Sequence, residues 1–297
     1  VVSGTTESDR FRALTGRRVV AVDLGATHTR IAVFNSRSRA SLNPYSSCKC
    51  KTPRTTNGER VAFWLADQIA TLAGDPEAIS IASFGPIDYS DRSIVDPPNH
   101  PARRIPLGRI VERRFPNSYT LLVNDAVAGA WSDHVLSGVG DLAYVAVGTG
   151  VGVGVVVGGR LLLGRRGDSH EAGHMVIDYK SRIRCGCGGR GHWEAIGSGS
   201  AMETFRLAGR DLEAATAAGI AGLVACYDPE RVSLGGGLVI GGLIRVERVR
   251  SMLKEYSFQN RIPELVVHPA GDNASLTGAY LLLLEPDRGV LALNGWA

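Results

Sequence analysis

The chain has 297 residues, of which 44% are hydrophobic and 21% charged, with 37 glycines and 5 cysteines. That size and mixture exclude a disordered chain, a collagen and a small disulfide scaffold, and the length suggests two domains. The net charge of +4 comes with short clusters such as Arg17-Arg18, Arg103-Arg104 and Arg165-Arg166, a pattern of solvated faces that argues against a nucleic-acid partner.

In chain order, residues 1–18 are polar and read as a tail. Val19–Val22 is a short buried-strand signal ending at Asp23, Thr29–Phe34 a second strand, and Leu24–His28 the tight turn between them. A further strand is expected near Ser46–Lys51. Residues 59–73 show a helical period through Val61, Trp64, Leu65, Ile69 and Leu72. Ile79–Phe84 reads as a strand that stops at Gly85-Pro86, and 88–105 as a loop. Leu107–Phe115 reads as a helix, Tyr119–Val123 as a strand ending at Asn124-Asp125, and Ala126–Leu136 as a helix. Leu142–Val147, Val151–Val157 and Arg160–Leu163 are expected strands joined by glycine turns, followed by an irregular Gly/Cys/His-rich stretch over 164–195. Helices at 199–207 and 211–226, a strand Arg231–Leu234, a helix Ile240–Tyr256, a strand Leu265–Val267 and a helix Asn273–Leu284 complete the chain. Alternating helices and strands predict an α/β protein with a mixed sheet in each half. The openings VAVDLGATHTRIAVF and YVAVGTGVGVGVVV read as one hairpin used twice, an internal duplication with a cleft between the copies.

Three glycine turns, Leu24–His28, Gly148–Gly154 and Gly235–Gly237, could each cradle an anion with backbone N–H groups, or could each be a plain tight turn. No G-x-x-x-x-G-K-[ST] motif is present, which argues against a P-loop, and the turn 148–154 lies between two strands, which is wrong for a dinucleotide fingerprint. Asp23 and Asp125 end apolar strands, where ligands bind in open α/β sheets. The alternative for Asp125 is a helix N-cap, and for Asp23 simple turn chemistry. Cys185 and Cys187, with His192 after them and His174 before, supply two thiolates and two imidazoles, a sound tetrahedral zinc set that would order a loop too polar to fold alone. The alternative is reduced thiols and surface histidines. Cys48-Lys-Cys50 has no neighbouring ligand and reads as structural or incidental, while Cys226 reads as core on an apolar helix face. No apolar run reaches the roughly 18 residues of a membrane span and no secretory leader is visible, so the expectation is a cytoplasmic protein with no membrane contact.

Taken together, the motifs resemble the ROK family (repressor, open reading frame, kinase) of sugar kinases, within the actin-like ATPase superfamily. The resemblance runs from about Val19 to Leu284. D-x-G-x-T-x-x-R is Asp23, Gly25, Thr27 and Arg30; N-D-A is Asn124-Asp125-Ala126; G-T-G-x-G-x-G starts at Gly148-Thr149-Gly150. E-x-G-H is Glu171 to His174, C-x-C-G-x-x-G-C-x-E spans Cys185 to Glu194, and L-G-G-G is Leu234–Gly237. The resemblance implies two actin-like (ribonuclease H-like) lobes with an interdomain cleft: a small lobe of 19–123 plus a C-terminal helix at about 279–297, and a large lobe of 124–278.

It further implies ATP-dependent phosphorylation of a hexose, most often glucose, at the 6-hydroxyl. Asp125 would be the general base, and Asn124, Glu171, His174 and Glu194 would bind sugar hydroxyls, with Asn99 and Gly85 nearby. Asp23 would hold Mg²⁺ through water; Gly25, Thr27 and Arg30 belong to the same phosphate motif. Gly148, Thr149 and Gly150 would cradle the phosphates, and Gly235 and Gly236 would face the adenosine. His174, Cys185, Cys187 and His192 would hold structural zinc, with the second nitrogen of His174 left for a sugar hydroxyl.

Three departures stand out. His192 replaces the family's third cysteine, Ala26 replaces a usual glycine, and the stretch from Ser200 to Leu234 is short, which puts in doubt any oligomer contact made by helices there; a homo-oligomer (dimer) or a monomer is expected. Broad hexokinase activity, or another hexose such as fructose or N-acetylmannosamine, is the alternative. A repressor is disfavoured because only 18 residues precede the first strand. A non-catalytic sugar-binding regulator is disfavoured by Asp125 and the retained glycines.

Overall fold

A computed structural model describes residues 17–35, 42–169 and 171–296, so nearly all of the expected N-terminal tail lies outside the described residues. The chain divides into two compact units. One comprises the residues up to Ala128 with Leu163–Asp168 and those from Ser275 onward; the other comprises Gly129–Leu162 and Ser169–Ala274. The division falls inside the helix Asp125–Ser137.

The first unit is built on β1 (Arg18–Leu24), β2 (His28–Asn35), β3 (Ser46–Lys51), β4 (Ala78–Ser83) and β8 (Tyr119–Asn124), in the order β3-β2-β1-β4-β8. β1 and β2 pair antiparallel, as do β2 and β3, while β1, β4 and β8 run parallel. Both faces of the central strands are covered, which is why Val19–Val22 and Ala78–Ser83 are continuously buried. On one face Val20, Val22, Ile79 and Ile81 pack with Val61, Leu65 and Ile69 of the helix Gly58–Ala73. The Asn57 side chain caps that helix by accepting from the Arg60 N–H. Phe34 stacks on Tyr280 of the helix Ala274–Leu284, ring centroids 3.9 Å apart. The stretch 88–105, expected as loop, contributes to a small three-stranded sheet of β5 (Ile87–Asp88), β6 (Ser93–Val95) and β7 (Arg104–Ile105). Such short strands leave too little periodicity to be read from sequence.

A C-terminal helix, Arg288–Leu293, continues into Asn294, whose amide acts as a one-residue partner for edge strand β8. Its Oδ1 accepts from the Leu122 N–H (2.8 Å) and its Nδ2 donates to the Leu122 carbonyl (3.0 Å). Trp296 Nε1 donates to the Thr120 carbonyl (3.1 Å). The edge strand is thereby closed by side chains. Asn294→Ala should cost about 2–6 kcal/mol, because two buried backbone groups lose their partners at roughly 1–3 kcal/mol each. Chemical denaturation monitored by far-UV circular dichroism checks this, and an unchanged midpoint would refute it.

The second unit repeats the plan with β9 (Leu142–Val147), β10 (Val151–Val157), β11 (Arg160–Leu161), β12 (Arg231–Gly235) and β13 (Glu264–Val267), ordered β11-β10-β9-β12-β13. Again the first three strands are antiparallel and the last two run parallel to the first. Matching order and direction in the two sheets fit the expected duplication. Val145, Val153, Val232 and Leu234 pack with Leu212, Ile220 and Leu223 of the helix Gly209–Tyr227. Cys226 is exposed, contrary to its core reading: it lies in the last turn of this helix, past its last buried residues Leu223 and Val224. The single helix expected over Ile240–Tyr256 is two, Gly237–Ile240 and Val246–Tyr256. Gly242 at φ +75° takes the chain out of helical geometry between them.

Candidate active site and metal cluster

In the first unit the parallel register aligns Leu24 with Ser83 and Ser83 with Asn124. Asp23–Gly25, Gly85 and Asn124-Asp125 therefore leave the sheet on one edge, the carboxyl ends of three adjacent parallel strands. Asp23 is buried and its Oδ2 meets Arg30 Nη1 at 2.9 Å, a cross-strand ion pair that follows from their opposed register. The turn after Asp23 is closed by Gly25 N–H donating to the His28 carbonyl (3.1 Å). Thr52 buttresses it: its hydroxyl donates to the Gly25 carbonyl (2.6 Å) and its N–H to the Thr27 carbonyl (3.0 Å). Thr52 belongs to no motif and nothing in the sequence signals it.

Asn124, not Asp125, is the cap of the helix Asp125–Ser137. Its Oδ1 accepts from the amides of Ala126 (2.9 Å) and Val127 (3.2 Å). The capping alternative for Asp125 is thus taken by its neighbour, whose side-chain carbonyl is committed to the helix. Asp125 is the first helical residue and half-buried, with Oδ1 accepting from the Ala126 N–H at 2.8 Å. Beneath this junction lies Tyr89, a second residue without a sequence signal. Burial pushes its phenol well above the usual tyrosine range, and the Asn124 backbone hydrogen bond acts the other way. Asn99 sits in a loop held at its carbonyl by Arg54 (3.2 Å). The next residue, His100, is buried. It accepts the Ala102 N–H at Nδ1 (3.2 Å), so its proton sits on Nε2, facing the Pro53 carbonyl at 2.9 Å.

In the second unit β9 and β12 run parallel with Ala146 opposite Gly235, so the turns Gly148–Gly150 and Gly235–Gly237 emerge side by side. The Gly148 carbonyl accepts from the Gly199 N–H (2.8 Å) and the Thr149 carbonyl from the Ser200 N–H (3.2 Å), at the start of the helix Gly199–Phe205. Ser198 caps that helix through its hydroxyl (3.2 Å to the Ala201 N–H). In a trans peptide the N–H points opposite to the C=O. Anchoring those two carbonyls on the helix therefore turns the Thr149 and Gly150 amides away from it.

The stretch 164–195, expected as irregular, contains a 3-10 turn Glu171–His174 and a short helix Trp193–Gly197. Trp193 is fully buried in the core and anchors the loop. His174, Cys185, Cys187 and His192 converge, their ligand atoms all within 4.8 Å of one another. His174 Nδ1 lies 3.5 Å from Cys185 Sγ and His192 Nδ1 lies 3.3 Å from Cys187 Sγ. Tetrahedral zinc with bonds of roughly 2.0–2.3 Å requires ligand separations of about 3.3–3.8 Å. The donor set suits zinc and the two His–Cys pairs already have that spacing, while other separations in the cluster reach up to 4.8 Å; His192 lies within the cluster although it replaces a thiol. Burial pushes the Cys185 thiol up to about 11. His174 Nε2 faces Glu171 Oε2 at 3.4 Å, the carboxylate partner that orients a metal-bound imidazole. The ring nitrogen expected to be left for a sugar therefore already faces a carboxylate.

Among the described residues, no helix is long and apolar enough to cross a membrane. The family model described as "ROK family" matches residues 19–216. A glucokinase of Aeropyrum pernix is 36% identical, aligned over 89% of this chain and 96% of its own length. Among solved structures, a ROK family glucokinase from Streptomyces griseus in complex with glucose and AMPPNP is similar at TM-score 0.76 and 26% identity, covering 89% of this chain and 98% of its own. A ROK hexokinase from Thermus thermophilus is similar at TM-score 0.70 and 31% identity, covering 89% of this chain and 97% of its own. With most of its length matched by the family model and by a relative of this identity, the chain belongs to the ROK family of sugar kinases and related proteins.

Proposed function

We propose that this protein transfers the γ-phosphoryl group of ATP to the 6-hydroxyl of glucose, giving glucose 6-phosphate and ADP. The observation that carries this reading is the 36% identity to a glucokinase over 89% of this chain. Asp125 takes the proton of the attacking hydroxyl as the new O–P bond forms and ADP leaves; phosphoryl transfer asks for little more than positioning and charge neutralisation. The strand β8 and the Asn124 cap fix where that carboxylate starts its helix. The Asn124 amide NH₂ with Asn99 and Gly85 in the first unit, and Glu171 and Glu194 in the second, are assigned to sugar hydroxyls, with His174 backing Glu171 through Nε2. The Thr149 and Gly150 amides, with Gly148, take the phosphates, and Gly235 and Gly236 face the adenosine.

Magnesium bound with ATP would supply charge neutralisation at the phosphates, held through water by Asp23 within the motif that includes Gly25, Thr27 and Arg30. Zinc on His174, Cys185, Cys187 and His192 would order the loop that carries Glu171 and Glu194, with no role in the transfer itself.

Broader hexokinase activity is the second reading, favoured by the 31% identity to a ROK hexokinase. A coupled ADP-release assay across glucose, fructose, mannose and N-acetylmannosamine, with ATP, other nucleoside triphosphates and polyphosphate as donors, separates the two. Glucose with ATP should give the highest kcat/KM. Comparable values for several hexoses would favour the hexokinase reading, and no turnover with any pair would overturn both.

A further inference from the structure

Glu194 does something that binding a sugar does not require. One of its oxygens, Oε2, accepts the backbone N–H of Val151 at 2.9 Å. Val151 is the first residue of β10, directly after Gly150. The other oxygen, Oε1, lies 3.9 Å from Cys185 Sγ in the metal cluster. The loop grips Val151 from a second side as well. A Cβ on Gly173, between Glu171 and His174, would lie 2.1 Å from the Val151 carbonyl oxygen, so the backbones meet there with no room for a side chain.

Beyond Glu194 in the same segment, Gly199 and Ser200 hold the carbonyls of Gly148 and Thr149. The continuous segment 193–200 therefore fixes both ends of the turn 148–151: Glu194 its exit, Gly199 and Ser200 its entry.

We propose that Glu194 is a positioning residue for the nucleotide-phosphate turn, tying the metal-bearing loop to the Val151 backbone so that the Thr149 and Gly150 amides stay aimed at the phosphates. This rests on the kinase reading above, and it gives Glu194 a role that exists before any sugar binds. It also makes the sugar and nucleotide sites thermodynamically coupled, since a ligand that orders Glu194 orders the turn, and the coupling must be reciprocal.

The test is MgADP affinity by calorimetry in the absence of sugar, on the zinc-loaded protein. Glu194→Gln keeps a carbonyl acceptor at the same reach and should leave the MgADP Kd within about threefold. Glu194→Asp keeps the charge but withdraws the acceptor by one methylene, and should weaken MgADP about tenfold, the loss of one hydrogen bond to a charged group. Hydrogen exchange should show the same ranking locally, with faster exchange in a peptide covering 148–154 of Glu194→Asp and unchanged exchange over 78–83. If the ranking is reversed, or if sugar-free MgADP affinity is the same in wild type and Glu194→Asp, the positioning role is wrong. Failure of wild-type protein to bind MgADP at all would instead overturn the kinase reading.

Discussion

Asp125→Asn should lower kcat for glucose phosphorylation by about a thousandfold, within the roughly 10²–10⁴ that a general base contributes. That loss corresponds to about 4 kcal/mol of transition-state stabilisation. Glucose affinity should change only a few-fold, because asparagine has the same shape and its carbonyl can still accept the Ala126 N–H that Asp125 Oδ1 now takes at 2.8 Å. The helix should survive the change, since its cap is the Asn124 side chain and not Asp125. Circular dichroism and the melting temperature should therefore match wild type. Steady-state kinetics alongside equilibrium glucose binding make the measurement. A variant with near-normal kcat would remove Asp125 from the role of base. A variant with lost turnover and lost glucose binding would place it in sugar binding instead.

Cys185→Ser should abolish zinc binding and destabilise the second unit by at least about 3 kcal/mol, in the range of losing a bound metal. Cys185 is the buried member of the four ligands, and serine offers no thiolate to replace it. The damage should stay local at first. Trp193 is fully buried in the unit core, so one end of the loop remains anchored while 174–192 loses its cross-link. Elemental analysis should fall from about one zinc per chain to none, and limited proteolysis should cut within the loop. His192→Cys should retain zinc, because either ligand type suits the site and the position already faces Cys187. Wild-type protein purified without chelators and containing no zinc would refute the cluster as a metal site.

The motif positions and most of the strands and helices were legible from residue order alone. Val19–Val22, Ile79–Phe84 and Leu142–Val147 are apolar runs too short for helices and bounded by turn residues, and each is a central strand. The helix Gly58–Ala73 announces itself by its spacing of Val61, Leu65 and Ile69. These features depend on residues close in sequence, and local sterics and periodicity are enough to specify them. The repeated hairpin also reads directly, and the two sheets share one strand order.

What local order does not carry is which atom of a residue is already spent. That Asn124 gives its carbonyl to a helix, that His174 turns Nε2 to Glu171, and that Glu194 gives an oxygen to Val151 are pairings of particular lone pairs. Distant partners are harder still: Asn294 completes β8 across 172 residues of sequence, and Trp296 reaches the Thr120 carbonyl across 176. Such contacts form once burial has removed water and every polar group must find a protein partner. Residue types mark where the chemistry can reside, while the packed fold selects the oxygens and nitrogens that remain to carry it out.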